Sequence, residues 1–163
     1  MSRVIGPSLP APLRARLSQE DLASVAGVAL PFATIDSDGR PHPMLLSYLE
    51  VRAYDAATIG LVIHGGSDSA RNLAARDVAT LSVIEPDVVA YVKLRRIDGP
   101  LAVVEDPRLA YFLLAVEEVR EDSTPPEEAG ARIVSAARYA PAELDSPWAR
   151  LTRRAVAQPR ARA

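Results

Sequence analysis

The stretch 57-ATIGLVIHGGSDSARNLAARDVATLSVI-84 decides the fold, because its pattern of apolar residues changes twice. The apolar run over 57–65 predicts a strand, and the alternating residues of 78–84 predict another. Between them, "GGSDSARNLAA" (65–75) predicts the start of a helix, with Ser67 as an N-cap candidate. This order predicts one helix inserted between two strands.

The first turn of this helix contains an arginine that needs an electrostatic partner. Ser69 is a second N-cap candidate, and Asp68 adds negative charge where the helix dipole is positive. Arg71 falls in or near the same turn. Either Arg71 pairs with Asp68 or extends into solvent, or an anion such as a phosphate lies between the helix N-terminus and the guanidinium. The residues alone leave both interpretations open.

The rest of the chain predicts mainly short strands with helices towards the ends. The other predicted strands are 28–36, 42–53 and 88–96, and the other predicted helices are 18–27, 107–122 and 124–140. We expect segment 97–106 to continue the strand before it through a bend at Gly99, as barrel corners require. The fold class is therefore mainly β with flanking helices (α+β), in the form of a small antiparallel barrel of about six strands.

Composition indicates one soluble domain and excludes several classes of protein. The chain has 163 residues, is 48% hydrophobic and 25% charged, and has a formal net charge of −2. This charge offers no general attraction to nucleic acid. The absence of cysteine excludes disulfides and cysteinyl metal sites, and two histidines are too few for a multi-histidine metal site. No membrane-spanning stretch or signal peptide is evident, so we expect a cytoplasmic protein without a membrane partner.

Three regions follow from the distribution of proline, arginine and apolar residues. We expect an irregular N-terminal arm over 1–17, a single domain with flanking helices over 18–145, and a frayed basic tail over 146–163. We also expect the fold to tolerate truncation at both ends. The tail contains five arginines beyond Asp145 and no acidic residue, a composition that also fits an anion-binding or partner-binding segment.

Three segments together resemble a known family. "LPFATIDSDGRPHPMLLSYLEV", "IHGGSDSARNLAARDVATLSVI" and "YVKL…DGPLAVVED", between about residues 28 and 122, resemble the pyridoxamine 5′-phosphate oxidase-like FMN-binding split-barrel family. The resemblance implies a six-stranded split β-barrel that forms a homodimer. It also implies flavin mononucleotide (FMN) bound in clefts at the dimer interface, with the phosphate near "HGGSDSARNL".

The resemblance extends to individual positions. Ser67 matches the family's serine before the phosphate-binding basic residues, and Arg71 matches a frequently basic position. Asn72 and Leu73 match the family's common "N-L" ending. The strand 42–47 matches the segment that lies along the isoalloxazine ring and ribityl chain. Basic residues of relatives that hold flavin tightly are replaced here, at four positions: His42, Ser47, Asp68 and Ser69.

The resemblance implies a flavin-binding oxidoreductase-like protein of unknown substrate, and no general acid or base is evident in the sequence. The candidate cofactor-binding residues are Ser67, Ser69, Arg71, Asn72, Met44, Leu45, Leu46, Ser47, His64 and Lys93. Ser67, Ser69 and Arg71 are assigned to the phosphate, and 44–47 to the ring edge. Two alternatives remain: a degenerate dimeric barrel that binds another ligand or none, and a reductase that uses the deazaflavin coenzyme.

Overall fold

The computed structural model describes residues 2–123, 132–140 and 143–160. The described elements, in chain order, are β1 (Ser2–Gly6), α1 (Ala11–Leu17), β2 (Ala29–Ile35), β3 (Pro41–Ser47), β4 (Val51–Ala53), β5 (Thr58–His64), α2 (Asp68–Arg76), β6 (Val78–Glu85), β7 (Val88–Ala102), β8 (Leu109–Asp122) and α3 (Pro147–Ala155). No helix in these ranges is both long enough and apolar enough to cross a membrane.

All eight strands belong to one antiparallel sheet. Its order is β3-β2-β6-β7-β8-β5-β4, and β1 adds a further pairing to β8. The sheet curls into an open barrel, which confirms the predicted α+β split barrel with more strands than the six expected. The predicted insertion of α2 between β5 and β6 is also confirmed.

The main core fills the inside of this curl. Its largest fully buried side chains include Phe32 of β2, Leu81 of β6 and Phe112 of β8. Because side chains alternate between the faces of a strand, neighbouring residues such as Tyr91 and Lys93 point outwards while Val92 points into the core. The outward positions are where the sheet can meet a ligand or partner.

The sequence predicts an irregular N-terminal arm over 1–17, but the structure contains a strand and a helix there. β1 pairs with the C-terminal part of β8, and Leu13 and Leu17 of α1 are buried in the main core. Pro10 precedes α1 and Pro12 stands in its first turn, where a missing N–H is tolerated. The missed signal is the spacing of Leu9, Leu13 and Leu17, which repeats every four residues and places one apolar stripe on the core.

Two adjoining predictions need correction. Segment 18–27 forms consecutive turns instead of a helix, and its Gln19 has a φ of 66°. The Gln19 side-chain amide donates to the carbonyl oxygens of residues 48, 49 and 51, at 2.7, 3.1 and 2.9 Å, and so anchors the chain at that point. The predicted strand 42–53 is also divided, because a turn at 48–50 separates β3 from β4.

The predicted helix 107–122 is wrong, since this segment is strand β8. Its apolar stripe fits a helix, but Tyr111 and Phe112 are adjacent and both are fully buried. Phe112 packs in the main core, and Tyr111 packs in a second cluster on the other side of the sheet. A strand covered on both faces has a nearly continuous run of apolar residues. Such a run also contains apolar residues at helical spacing, so periodicity alone cannot distinguish it from a helix. Asp106, expected as a helix cap, instead accepts the backbone N–H of Arg108 in a turn at 2.9 Å.

Gly99 bends a single long strand, as predicted. β7 continues through the bend as one strand of 15 residues, with irregular pairing to β8 on either side of Asp98. Gly99 has a φ of +103°, and a Cβ at this position would approach the carbonyl oxygen of Tyr111 at 2.5 Å. Glycine is therefore required there both by conformation and by space.

The C-terminal region is partly folded, which corrects the expectation of a frayed tail. Ser146 caps α3 by accepting the N–H of Ala149 at 3.1 Å. Ala155 and Val156 are fully buried in the second cluster beside Tyr111. The predicted helix 124–140 lies partly outside the described residues, including its capping box, and described residues 132–140 are not helical.

We expect the N-terminal helix to contribute substantially to stability. Leu13→Ala should lower the free energy of unfolding by about 2–5 kcal/mol, the range for removing a buried leucine side chain. Chemical denaturation should show this loss, and Val104→Ala should show almost none because Val104 is 90% exposed. If the two variants have equal free energies of unfolding, the N-terminal segment does not pack on the core.

Candidate functional site

The N-terminus of α2 is formed by a glycine-containing loop that follows β5. Ser67 is the N-cap, and its Oγ accepts the backbone N–H of Ala70 at 3.1 Å, as the sequence predicts. Ser69, the other cap candidate, is only 2% exposed and lies on the buried side of the helix. The side chains of Ser67 and Ser69 therefore occupy different environments, and the Ser69 hydroxyl is withdrawn from solvent.

The charge of Arg71 is balanced by a carboxylate in the first turn of α2. Its guanidinium pairs with the carboxylate of Asp68 and donates to the carbonyl oxygen of Gly66 at 2.6 Å. Both ionic side chains are 62% exposed. The structure therefore contains the pair with Asp68, which is the first of the two interpretations of Arg71. An exposed pair of this kind is weak enough for a stronger anion to replace Asp68.

A cavity of about 500 Å³ lies between α2 and the β2–β3 hairpin. Its lining comprises two acidic, two basic and four other side chains: Asp36, Asp68, Arg71, Arg76, Ser37, His42, Asn72 and Ala75. Asn72 Nδ2 donates to Thr34 Oγ1 at 3.2 Å, and Arg76 donates to the carbonyl oxygen of Ser37 at 2.7 Å. These bonds fix one face of α2 against the hairpin.

Asp36 and Arg76 also line this cavity, although neither was among the residues predicted from the sequence. Arg76 could have been found, because Asp68, Asn72 and Arg76 recur every four residues along one helix face. Asp36 could not, since its approach depends on how the β2–β3 hairpin folds towards α2. Tertiary packing alone makes this connection.

The predicted ring-edge segment on β3 is divided between the two faces of the sheet. Leu46 is fully buried and Met44 packs against the main core. Leu45 and Ser47 point outwards into a second cavity of about 400 Å³. Only these two of the four predicted residues are placed to meet a ligand on the outer surface.

Glu50 gives this second cavity an unusual carboxyl group. Its Oε2 accepts the backbone N–H of Ser47 at 2.6 Å and the Ser47 hydroxyl at 3.0 Å. Burial raises the pKa of the Glu50 carboxyl above its ordinary value, although the two donors of Ser47 oppose this shift. Tyr139, which also lines the cavity, has a raised pKa because of its own burial and because of the charge of Glu50. No feature of the sequence indicated this group.

His64 and Lys93 do not line either of these cavities. His64 is exposed at the end of β5, and its Nδ1 accepts the N–H of Gly66 at 3.3 Å. Lys93 lies on the outer face of β7, with its Nζ 2.8 Å from Glu118. The structure therefore brings Arg71 and Asn72 together at one cavity, and leaves His64 and Lys93 at other places.

Comparison with known proteins places the chain by its fold. No protein-family model and no curated protein match its sequence. A solved structure of a predicted pyridoxamine 5′-phosphate oxidase from Lactobacillus delbrueckii aligns with 73% of this chain and 98% of its own, at 16% identity and a TM-score of 0.56. The chain therefore has the split-barrel fold of pyridoxamine 5′-phosphate oxidase-like proteins, as the resemblance predicted.

Two further solved structures show lower similarity. An FMN-binding protein from Syntrophomonas wolfei is 12% identical, with a TM-score of 0.49 over 69% of this chain and 90% of its own. An F420 reductase is 16% identical, with a TM-score of 0.46 over 63% of this chain and 96% of its own.

Glu50 provides a prediction for the pH dependence of stability. An acid whose pKa is higher in the folded state destabilises that state once it ionises, so its penalty grows as pH rises from the unfolded pKa through the folded one. The free energy of unfolding of Glu50→Gln minus that of wild type should therefore be more favourable to the variant at pH 7 than at pH 4. Urea denaturation at both pH values measures this difference. Glu20→Gln, a change at an exposed residue, should show no such trend. If the free energies of unfolding of Glu50→Gln and wild type differ by the same amount at both pH values, ionisation of Glu50 does not destabilise the fold.

Proposed function

We propose that this protein is a flavin-binding oxidoreductase-like split barrel that holds the phosphate of FMN in the cavity beside α2. The observation that supports this proposal most directly is the meeting of Arg71, Asn72 and His42 at a helix N-terminus, within a fold related to pyridoxamine 5′-phosphate oxidase-like proteins. A helix N-terminus supplies free N–H groups and a positive field, both suited to a phosphate.

The residues of the cavity fit a phosphate only if Asp68 moves away from Arg71. The first backbone N–H groups of α2 and the Arg71 guanidinium then provide the donors, and Arg76 adds a second positive charge at the other end of the same helix face. Asp36 and Asp68 oppose the anion, so we expect modest affinity. We assign the ring contacts to Leu45 and Ser47, because both lie on the outward side of β3 and line the second cavity.

The bound flavin would supply the redox chemistry by accepting or donating a hydride at its ring. The residues of this chain position it and set the electrostatics around it.

The second candidate function is a degenerate barrel that binds another ligand or none. The ion pair between Arg71 and Asp68 favours it, because the cavity neutralises itself without an anion. A deazaflavin coenzyme is the third candidate, and we separate the three by the absorption spectrum of the purified protein. Bands near about 370 and 450 nm indicate flavin, one near about 420 nm indicates deazaflavin, and a colourless protein indicates neither, since the cofactor's electronic structure sets these positions.

We also propose that the protein is a homodimer. Leu45 on β3 is paired with Pro31 on β2, and both lie on the outer face of the sheet, where Leu45 is 53% exposed. Tyr91 on β7 continues this face opposite Ser82. A second copy that covers these residues would remove apolar area from water and close the cofactor cleft.

Substitution at the α2 cavity tests the phosphate site. Arg71→Ala should weaken FMN binding by about 1.5–3 kcal/mol, the value of a hydrogen bond to a charged group, or about tenfold or more in Kd. Asp68→Asn should strengthen binding, since it frees Arg71 from its internal partner. Fluorescence titration with FMN and with riboflavin measures both effects, and riboflavin should respond to neither because it has no phosphate.

Arg40→Ala is the matched control, because Arg40 is exposed on the β2–β3 turn and does not line the cavity. Wild-type protein that binds FMN no better than riboflavin would contradict the proposed site. So would an Arg71→Ala effect equal to that of Arg40→Ala.

Sedimentation tests the proposed dimer. We expect a species of twice the 17.5 kDa chain mass at micromolar concentration. Leu45→Glu should shift it towards monomer by placing a charge in the interface. Val104→Glu adds the same charge at a residue that is 90% exposed on a turn and should leave the dimer intact. A wild-type monomer would reject the dimer and the cleft between subunits.

A further inference from the structure

Three arginines of the C-terminal helix converge with a fourth from the sheet. Arg150, Arg153 and Arg154 of α3 line a cavity of about 370 Å³ together with Arg52 of β4. Gln19 and Ala157 complete its lining, so it contains no acidic side chain. We refer to this cavity as the arginine pocket. It shares no residue with the cavity beside α2.

The packing of α3 explains why the arginines face the same way. Residues 150, 153 and 154 are three and four positions apart and lie on one helix face. The opposite face buries Ala149, Thr152 and Ala155. The Tyr54 hydroxyl is 3.0 Å from the carbonyl oxygen of Val156 and 3.1 Å from that of residue 158, which fixes the end of the helix beside β4. The guanidinium groups therefore approach Arg52 because the helix is anchored.

The lining of the arginine pocket contains no carboxylate, whereas most other arginines among the described residues form an ion pair. Elsewhere among the described residues, eight arginines form ion pairs with carboxylates: Arg3, Arg16, Arg71, Arg95, Arg96, Arg108, Arg120 and Arg160. Within residues 2–123, 132–140 and 143–160, no ion pair is found for the arginines of the pocket. Arg150 donates to the carbonyl oxygen of Asp145, which does not neutralise it. Four positive charges therefore line one cavity in a protein whose formal net charge is −2.

The helix dipole explains only part of this arrangement. Arg153 and Arg154 lie in the last turn of α3, where cations are favourable. Arg52 belongs to a different element, and its presence adds like-charge repulsion that α3 alone does not require. Two carboxylates lie close to the pocket without lining it. Glu20 lines an adjoining cavity together with Arg14 and Arg52, and Glu105, which is paired with Arg160, also interacts electrostatically with Arg154.

We propose that the arginine pocket binds an oligophosphate group, either free or as part of a nucleotide. Guanidinium groups donate in pairs to phosphate oxygens, and several of them around one cavity match an anion with several charges. The volume lies within the range of small-molecule sites. Binding removes the repulsion among the arginines, so the ligand stabilises α3 against the sheet. This site is independent of the proposed flavin site.

Isothermal titration calorimetry with tripolyphosphate tests the proposal at low salt and at 0.15 M salt. We expect one site per chain whose affinity depends on the pocket, so that Arg153→Gln and Arg52→Gln each weaken this site by about tenfold, as for loss of a charged hydrogen bond. Arg40→Gln removes the same charge outside the pocket and should change the affinity less than twofold. Thermal unfolding of each variant without ligand verifies that it folds.

Titration with ATP distinguishes the two sources of the oligophosphate. Binding of ATP tighter than tripolyphosphate indicates a nucleotide, and weaker binding indicates the free anion. The proposal is overturned if tripolyphosphate does not bind at millimolar concentration, or if Arg153→Gln and Arg40→Gln weaken it equally. It is also overturned if duplex DNA or anionic phospholipid vesicles bind more tightly than both small anions through the same arginines, since the surface would then serve a macromolecule.

Discussion

Strand β8 is the constraint on which the rest of the structure depends. It pairs with β7 along most of its length and, on its other edge, with β5 and then β1. Phe112 faces the main core, whereas Tyr111 faces α3. Around Tyr111 and Phe112, both edges of the strand are paired and both of its faces are covered. The register therefore cannot shift without exposing buried side chains. Strand β8 therefore connects the barrel, the N-terminal strand and the C-terminal helix.

The two candidate sites differ in how their charges are balanced. Beside α2, Arg71 pairs with Asp68, and Arg76 and Asp36 share the same cavity, so the charges there compensate. In the arginine pocket, Arg52 meets the α3 arginines with no carboxylate in the lining. An anion must displace an internal partner at the first site, but at the second it relieves repulsion. The same ligand charge is therefore expected to have different energetic consequences at the two places.

The sequence predicted the central part of the fold because its signals there are local. The N-cap Ser67 and the bend at Gly99 follow from side-chain hydrogen bonding and backbone freedom, which neighbouring residues determine. The errors fall where distant packing decides. The apolar stripe of 107–122 fits a helix equally well, and only the two layers that cover β8 make it a strand. Segment 1–17 gains its order from the sheet edge and core that it contacts.

By itself, the sequence indicated a small antiparallel barrel and the position of α2 through short-range periodicity and helix-capping residues. Its resemblance to a known family added the split-barrel class and the grouping of Arg71 and Asn72 in one candidate site. Only the tertiary structure decided that Leu46 faces the core while Leu45 faces out, and that the half-buried Glu50 carboxyl has a raised pKa because of its burial. It also brought Arg52 to α3, more than ninety positions away in the chain. Such approaches follow from the curl of the sheet and the docking of helices, which no local pattern specifies.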